Sequence, residues 1–215
     1  MVTPIDVANY FISKSLDTDG KTPDKLKVQK LVYYAQAWNL TFYNKLLFDE
    51  QLEAWQNGPV APTLYQYCKN NSSGEYPIQS QQTNIFSKSE LYVLEEVFRV
   101  YGNLTSKQLR KLTHRETPWS GARLGLSKKD SSNEPVLNDE IRAYYQNFAD
   151  LNSESPKILD IAIEPEKEVT VTARFLDGTT QEVKQSEIVD FILKNKDVLT
   201  SEKRKPRRAL LSLPS

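Results

Sequence analysis

Hydrophobic residues in the first two-thirds of the chain recur mainly at the three- and four-residue spacing of an α-helix. Ile5, Ala8, Ile12 and Leu16 form the first such series. Thr3 precedes the series with a proline and an acid behind it, which predicts an N-cap and the first turn of a helix. We therefore predict that the protein begins with an amphipathic helix.

A second helical pattern follows the Thr22–Pro23 pair, which we predict to cap and begin the helix. Val28 and Trp38 belong to one hydrophobic face, and Tyr33 and Tyr34 fill much of the remaining circumference. A helix that is apolar nearly all round is packed on several sides. We therefore predict that this helix is the central element of the domain.

Capping signals predict further helices up to about residue 150. Capping boxes are present at Ser87–Glu90 and Thr105–Gln108. Thr117–Pro118 indicates the start of a short helix, and Asn138 is the predicted cap of the last one. Between these helices, Asn57–Pro59 cannot continue a helix because proline excludes its predecessor from the α region.

The hydrophobic period changes to that of a strand after Pro156. Val169–Phe175 alternates apolar and polar residues, Asp177–Gly178 is a strong turn signal, and Thr179–Lys184 supplies the return strand. An amphipathic helix is predicted over Ile188–Leu193. The predicted fold class is mainly α, with a compact multi-helix domain and a small C-terminal appendage of a β-hairpin plus a helix. The predicted ranges are 1–152 for the helical domain, 157–200 for the ββα-like appendage and 201–215 for a basic, disordered tail.

Composition excludes several classes of protein. The 28 basic and 28 acidic residues cancel, so no overall field favours nucleic acid or a membrane surface. The single cysteine, Cys68, excludes an intramolecular disulfide and a cysteine metal cluster. The first ten residues lack the pattern of a signal peptide, and no run of about 18 apolar residues is present. We expect a soluble cytoplasmic protein without a cofactor, a metal site or a membrane partner.

Two residues suggest catalysis, and both have a simpler interpretation. His114, beside Glu116, could act as a general base, but a histidine at this place more often interacts with the end of a helix. Cys68 could act as a nucleophile, but its helical and aromatic surroundings favour a small buried side chain. We predict no catalytic residue and no enzymatic activity.

The tail contains a strongly basic run. Such runs are usually solvated, and the alternative is contact with nucleic acid or an acidic partner. The candidate nucleic-acid contacts are Lys203, Arg204, Lys205, Arg207 and Arg208.

Three segments rich in aromatic residues carry a family resemblance. In their residues, order and spacing, Lys27–Trp38, Glu53–Val60 and Leu112–Trp119 resemble the Panacea domain of the SocA-like antitoxin family. The resemblance covers roughly residues 4 to 150 and implies a compact, mostly helical domain of bacteria and their prophages. Members are commonly encoded beside a toxin gene. The resemblance implies direct binding and neutralisation of a cognate toxin protein, in a type II toxin–antitoxin system.

The resemblance also implies which residues matter. We expect the shared residues to build the scaffold or to bind the toxin. Core packing is favoured for Trp38, and either role is left open for Trp55. They are Lys30, Leu31, Tyr33, Tyr34, Trp38, Ala54, Trp55, Gly58, Pro59, Val60, Thr113, His114, Pro118 and Trp119.

Two other functions stay open at this point. Some relatives act as adaptors that deliver a toxin to a Clp-type protease, so the same role is an alternative here. The basic tail suggests a second alternative, a DNA-binding regulator that contacts its own operon. The oligomeric state stays open.

Overall fold

The computed structural model describes residues 2–70, 83–127, 129–151, 155–159, 170–174 and 179–184. The chain divides into two compact units, Met1–Ile163 and Glu164–Ser215. In the described ranges the α-helices are α1 Pro4–Asp19, α2 Lys25–Tyr43, α3 Pro62–Asn70, α4 Lys88–Tyr101, α5 Ser106–Thr113, α6 Thr117–Ala122 and α7 Asn138–Tyr145. The predicted, mainly helical fold class is confirmed.

The strands of the described residues form short antiparallel pairs. They are β1 Glu53–Trp55 with β2 Gly58–Val60, β3 Ala149–Asp150 with β4 Lys157–Ile158, and β5 Thr170–Arg174 with β6 Thr180–Lys184. None of the helices in the described part of the chain is long and apolar enough to cross a bilayer.

The first two helices begin at short polar side chains. Thr3 caps α1, as predicted, and the structure adds a capping box with Asp6. The prediction that Thr22–Pro23 begins α2 is wrong, because Asp24 is the N-cap and its carboxylate accepts a hydrogen bond from the Lys27 backbone N–H at 2.9 Å. The aspartate lies where its side chain reaches the first turn, which is what a cap requires.

Helix α2 is the centre of the first unit, as its all-round hydrophobicity predicts. It packs against α1, α4, α5 and α7 and against strand β2. Every residue from Val28 to Thr41 is buried, and Trp38 is completely enclosed. The prediction that Trp38 belongs to the core is confirmed.

A tight hairpin lies where the sequence indicated only a break between helices. Strands β1 and β2 pair with Trp55 opposite Gly58, so Gln56 and Asn57 form the turn. The outer edge of β1 is paired as well, because the Ala54 N–H donates to the Glu134 carbonyl at 2.8 Å. Three-residue strands are too short to show alternation, which explains why the pattern did not predict them.

The later helices follow their predicted signals with one exception. Ser87 and Thr105 cap α4 and α5 in complete capping boxes, and Thr117 begins α6. Asn138 is not a cap: it is the first helical residue of α7, and Leu137 occupies the cap position without a side-chain hydrogen bond.

Two short hairpins complete the described structure. Strand β4, at the start of the segment assigned to the appendage, pairs with β3 inside the first unit. In the second unit β5 and β6 pair with Val171 opposite Val183, which confirms the predicted hairpin. The predicted turn at Asp177–Gly178, the helix at Ile188–Leu193 and the tail lie outside the described residues.

Candidate functional site

A buried carboxylate lies at the centre of the first unit. Glu116 immediately precedes α6 and is only 5% exposed. Its Oε2 accepts hydrogen bonds from the hydroxyls of Tyr145 at 2.7 Å and Tyr33 at 3.1 Å, and its Oε1 accepts one from Tyr34 at 2.8 Å. We call these four residues the tyrosine–glutamate cluster.

Helix packing brings the cluster together. Tyr33 and Tyr34 are neighbours on α2, and α7 packs along α2 and supplies Tyr145. The ring of Tyr34 stacks on Tyr101 of α4, with centroids 3.9 Å apart and planes 8° from parallel. Aromatic rings therefore surround the carboxylate, while the hydroxyls at their tips satisfy it.

Lys30 lies one turn before these tyrosines on α2 and is completely buried. Its Nζ donates a hydrogen bond to the Pro59 carbonyl of β2 at 2.8 Å. The approach depends on Gly58, where a Cβ would lie 2.6 Å from Lys30 Nζ and 2.7 Å from Thr113 Oγ1. The ammonium thereby joins α2 to the hairpin at a point where only glycine fits.

Burial dominates the titration of both charged groups. Desolvation raises the pKa of Glu116 to about 7, against the opposing effect of the tyrosine hydrogen bonds and of Lys30. Desolvation lowers the pKa of Lys30 to about 7, with Glu116 opposing the shift and Arg110 adding to it. Burial, together with the charge of Glu116, raises the tyrosine pKa values well above 10. The hydroxyls therefore stay protonated and act as donors at neutral pH.

The stability of the protein should depend on pH through Lys30. Between about pH 7 and 10.5 the unfolded chain holds a proton on Lys30 that the folded protein lacks, so stability rises with pH by up to about 1.4 kcal/mol per unit. Lys30→Met removes this rise. The difference in unfolding free energy between wild type and variant should therefore grow by roughly 2–3 kcal/mol from pH 7 to 9.5, measured by urea unfolding.

The matched control is Lys45→Met, because Lys45 is exposed. The difference in unfolding free energy between Lys45→Met and wild type should stay constant over the same pH range. Glu116 acts in the opposite direction at lower pH: from about 4.5 to 7 the folded protein holds the extra proton, so stability falls as pH rises. A Lys30→Met difference that does not change with pH would contradict the assignment.

Other buried polar groups hold the hairpin to the helices. Trp119 donates through Nε1 to the Trp55 carbonyl at 2.8 Å, and Arg123 donates through Nη1 to the Ala54 carbonyl at 2.8 Å. The Arg123 guanidinium also lies over the Trp119 ring, 5.2 Å from its centroid. The three aromatic-rich segments are therefore in mutual contact: α2, the hairpin, and the chain from α5 into α6.

Most of the residues singled out by the resemblance are buried parts of this arrangement. Their assignment to toxin binding stays a prediction. The buried ones are Lys30, Leu31, Tyr33, Tyr34, Trp38, Ala54, Gly58, Pro59, Val60, Thr113, Pro118 and Trp119. Burial is what a role in the scaffold requires.

Two of the predicted residues are only half-buried. His114 follows the last residue of α5, and its ring stacks on Trp119 with centroids 3.9 Å apart. Trp55 packs edge-on against Tyr65 at 4.7 Å and donates through Nε1 to Glu53 at 2.6 Å.

The groups considered as candidates for catalysis, His114 with Glu116 and Cys68, are packed among other side chains of the first unit. The carboxylate of Glu116, the supposed partner of His114, is engaged by tyrosine hydroxyls in the core. Cys68 is 3% exposed, as its surroundings predicted. Within the described residues no His, Cys, Asp and Glu side chains are grouped as a metal site requires. The basic tail residues Lys203–Arg208 lie outside the described part of the chain, so their contact with nucleic acid stays a prediction.

Sequence reasoning missed the structural importance of Glu116, Arg123 and Tyr145. A glutamate before Thr117–Pro118 looks like an ordinary acid at a helix start. One signal was available in the sequence: glutamate is not among the favoured N-cap residues. In the structure the Glu116 side chain makes no capping hydrogen bond and accepts from the three tyrosines instead.

Comparison with known proteins finds similarity over the segments that form this arrangement. Residues 28–120 match the model of the family described as antitoxin SocA-like, Panacea domain. That segment runs from α2 to α6 and contains the cluster residues Tyr33, Tyr34 and Glu116. The resemblance of the sequence to the Panacea domain of the SocA-like antitoxin family is thereby confirmed.

A curated relative extends the match. The chain is 27% identical over 155 residues to Antitoxin SocA of Caulobacter vibrioides (strain NA1000 / CB15N). The alignment covers 63% of this chain and 80% of that protein. No solved structure matches the chain significantly.

Proposed function

We propose that this protein is an antitoxin that neutralises a cognate toxin protein by direct, stoichiometric binding. The observation that carries the proposal is the Panacea domain at residues 28–120, together with similarity to Antitoxin SocA over most of that protein's length. The Caulobacter protein is named as an antitoxin, and the same role is proposed here. A type II mechanism follows from the direct binding.

The geometry of the first unit supports a binding role. Two charged groups of the shared motifs are used inside the protein: Lys30 bonds to Pro59, and Glu116 is engaged by three hydroxyls. These contacts stabilise one conformation of the helices and the hairpin. A rigid scaffold presents its surface at a low entropic cost, which favours tight association.

The experiment that tests the proposal is co-expression with the product of the neighbouring gene. We expect that product to arrest growth alone, and the full chain to restore growth and to co-purify with it at a constant ratio. The amount of the toxin should not change. An unrelated toxin expressed with the same chain is the control, and it should stay toxic.

Two outcomes would contradict direct neutralisation. Absence of both rescue and complex would remove the antitoxin proposal. Rescue accompanied by loss of the toxin, and abolished in cells without Clp-type proteases, would replace it with the adaptor alternative.

A further inference from the structure

The outer face of the β1–β2 hairpin continues into α3 and α5 as one surface. Trp55 of β1 contacts Tyr65 of α3, and the Arg110 guanidinium of α5 donates through Nε to Asn57 Oδ1 at the hairpin turn, at 3.1 Å. We call the following residues the hairpin surface: Trp55, Asn57, Tyr65, Lys107, Arg110 and Lys111. We infer that the hairpin surface is where the proposed antitoxin binds its partner, a protein that presents carboxylates beside an apolar side chain.

The aromatic part of this surface has the character of an interface. Tyr65 is 38% exposed, although it is a large aromatic side chain. Trp55 is half-buried, and its N–H is already satisfied by Glu53 at 2.6 Å. The indole N–H therefore needs no partner from a bound protein, and tryptophan and tyrosine are among the residue types that most often dominate binding energy.

The basic part of the surface comes from one face of α5. Lys107, Arg110 and Lys111 are spaced i, i+3 and i+4, so they lie on the same side of the helix. Leu109 and Leu112 are buried on the other side. Lys107 and Lys111 are exposed, and their positive charge complements carboxylates on a partner.

The backbone beneath the hairpin surface is held from inside. The carbonyls of Ala54, Trp55 and Pro59 accept hydrogen bonds from the buried side chains of Arg123, Trp119 and Lys30 respectively. Such a backbone does not need to be ordered on binding. The cost of association at this surface is correspondingly low.

A protein partner fits these groups better than nucleic acid does. The Glu53 carboxylate bonds to the Trp55 indole and would repel a phosphate placed beside it. A protein can place its carboxylates opposite α5 and an apolar side chain opposite the rings, away from Glu53, whereas the phosphates of a nucleic acid follow its whole length.

The inference rests on the proposed function, and its test uses the full chain with the toxin encoded by the neighbouring gene. The first variant is Lys107→Glu with Lys111→Glu, and the second is Tyr65→Ala. We expect each to weaken binding of the toxin by roughly 10–100-fold and to reduce rescue of growth. The charge-reversal variant should also lose much of the salt dependence of binding.

The matched control is Lys45→Glu with Lys88→Glu, which changes the net charge by the same amount. Lys45 follows the C-terminal end of α2, roughly 20 Å along that helix from Lys30, and Lys88 begins α4 at the end remote from α5. Both lysines are exposed. The control should bind the toxin as the wild type does, and all variants should keep the wild-type melting temperature.

Each outcome decides the inference. Selective loss of binding in the two surface variants supports it, whereas wild-type affinity in both overturns it. Wild-type protein that neither binds nor neutralises the toxin removes the proposed function, and the surface inference with it. Two other results would reassign the surface, provided that the surface variants still bind the toxin. If the variants abolish a salt-sensitive binding of duplex DNA, the surface belongs to nucleic acid. If they abolish self-association in size-exclusion chromatography, it belongs to a second copy of the chain.

Discussion

Glu116→Ala is expected to lower the free energy of unfolding by about 3–5 kcal/mol, as urea unfolding at pH 7.5 would measure. The substitution removes the acceptor of the hydroxyls of Tyr33, Tyr34 and Tyr145, which are buried where water cannot replace it. This loss acts on the folded protein alone.

Graded variants separate the hydrogen bonds from the packing. Tyr145→Phe keeps the ring and removes one bond to a charged group, which should cost about 1.5–3 kcal/mol. Combined with Glu116→Ala, it should cost less than the sum of the two, because both substitutions remove the same bond. The control is Glu134→Ala, an exposed glutamate whose loss should stay within about 0.5 kcal/mol. If Glu116→Ala lowers the unfolding free energy by no more than Glu134→Ala does, the structural role of the cluster is contradicted.

Gly58→Ala is expected to be nearly as damaging, with a loss of about 3–5 kcal/mol. Gly58 has a φ of +99°, a conformation that costs an alanine roughly 1–3 kcal/mol. The new Cβ would also lie 2.6 Å from Lys30 Nζ, so the ammonium must move and its bond to Pro59 must lengthen. Such overpacking adds roughly 1–3 kcal/mol.

Gly125→Ala provides a matched comparison. Gly125 has a similar φ of +93°, but no atom lies within 4 Å of the position that its Cβ would take. Its substitution should therefore cost only the backbone strain, the same roughly 1–3 kcal/mol. Thermal or urea unfolding gives the loss of stability for each variant. The difference between the two losses is the cost of the close approach to Lys30. Equal losses at the two glycines would show that the approach of Lys30 contributes nothing.

Local signals predicted helix starts well because a cap acts within four residues. The boxes at Ser87–Glu90 and Thr105–Gln108 are complete in the structure. The errors at helix starts came from neighbouring residues that take the cap position instead of the expected one. At the start of α2, Asp24 caps where Thr22–Pro23 was expected, and at the start of α7 Leu137 occupies the cap position that was expected for Asn138.

The tyrosine–glutamate cluster was not predictable in the same way. Tyr33 and Glu116 are 83 residues apart, and nothing in either neighbourhood specifies the other. The tyrosines were expected on a buried helix, and they are buried. What the pattern could not reveal is that their hydroxyls converge on one carboxylate.

The amino-acid sequence by itself determined the periodicity, the caps, the central place of α2 and the family resemblance carried by three aromatic-rich segments. These follow from residues near one another in the chain, or from motifs whose order is visible in it. Tertiary structure alone decided which polar groups meet: Lys30 with Pro59, Glu116 with its tyrosines, and Arg110 with Asn57. A buried charge is tolerated only where distant parts of the chain supply its partners, and that condition is met only after the helices have packed.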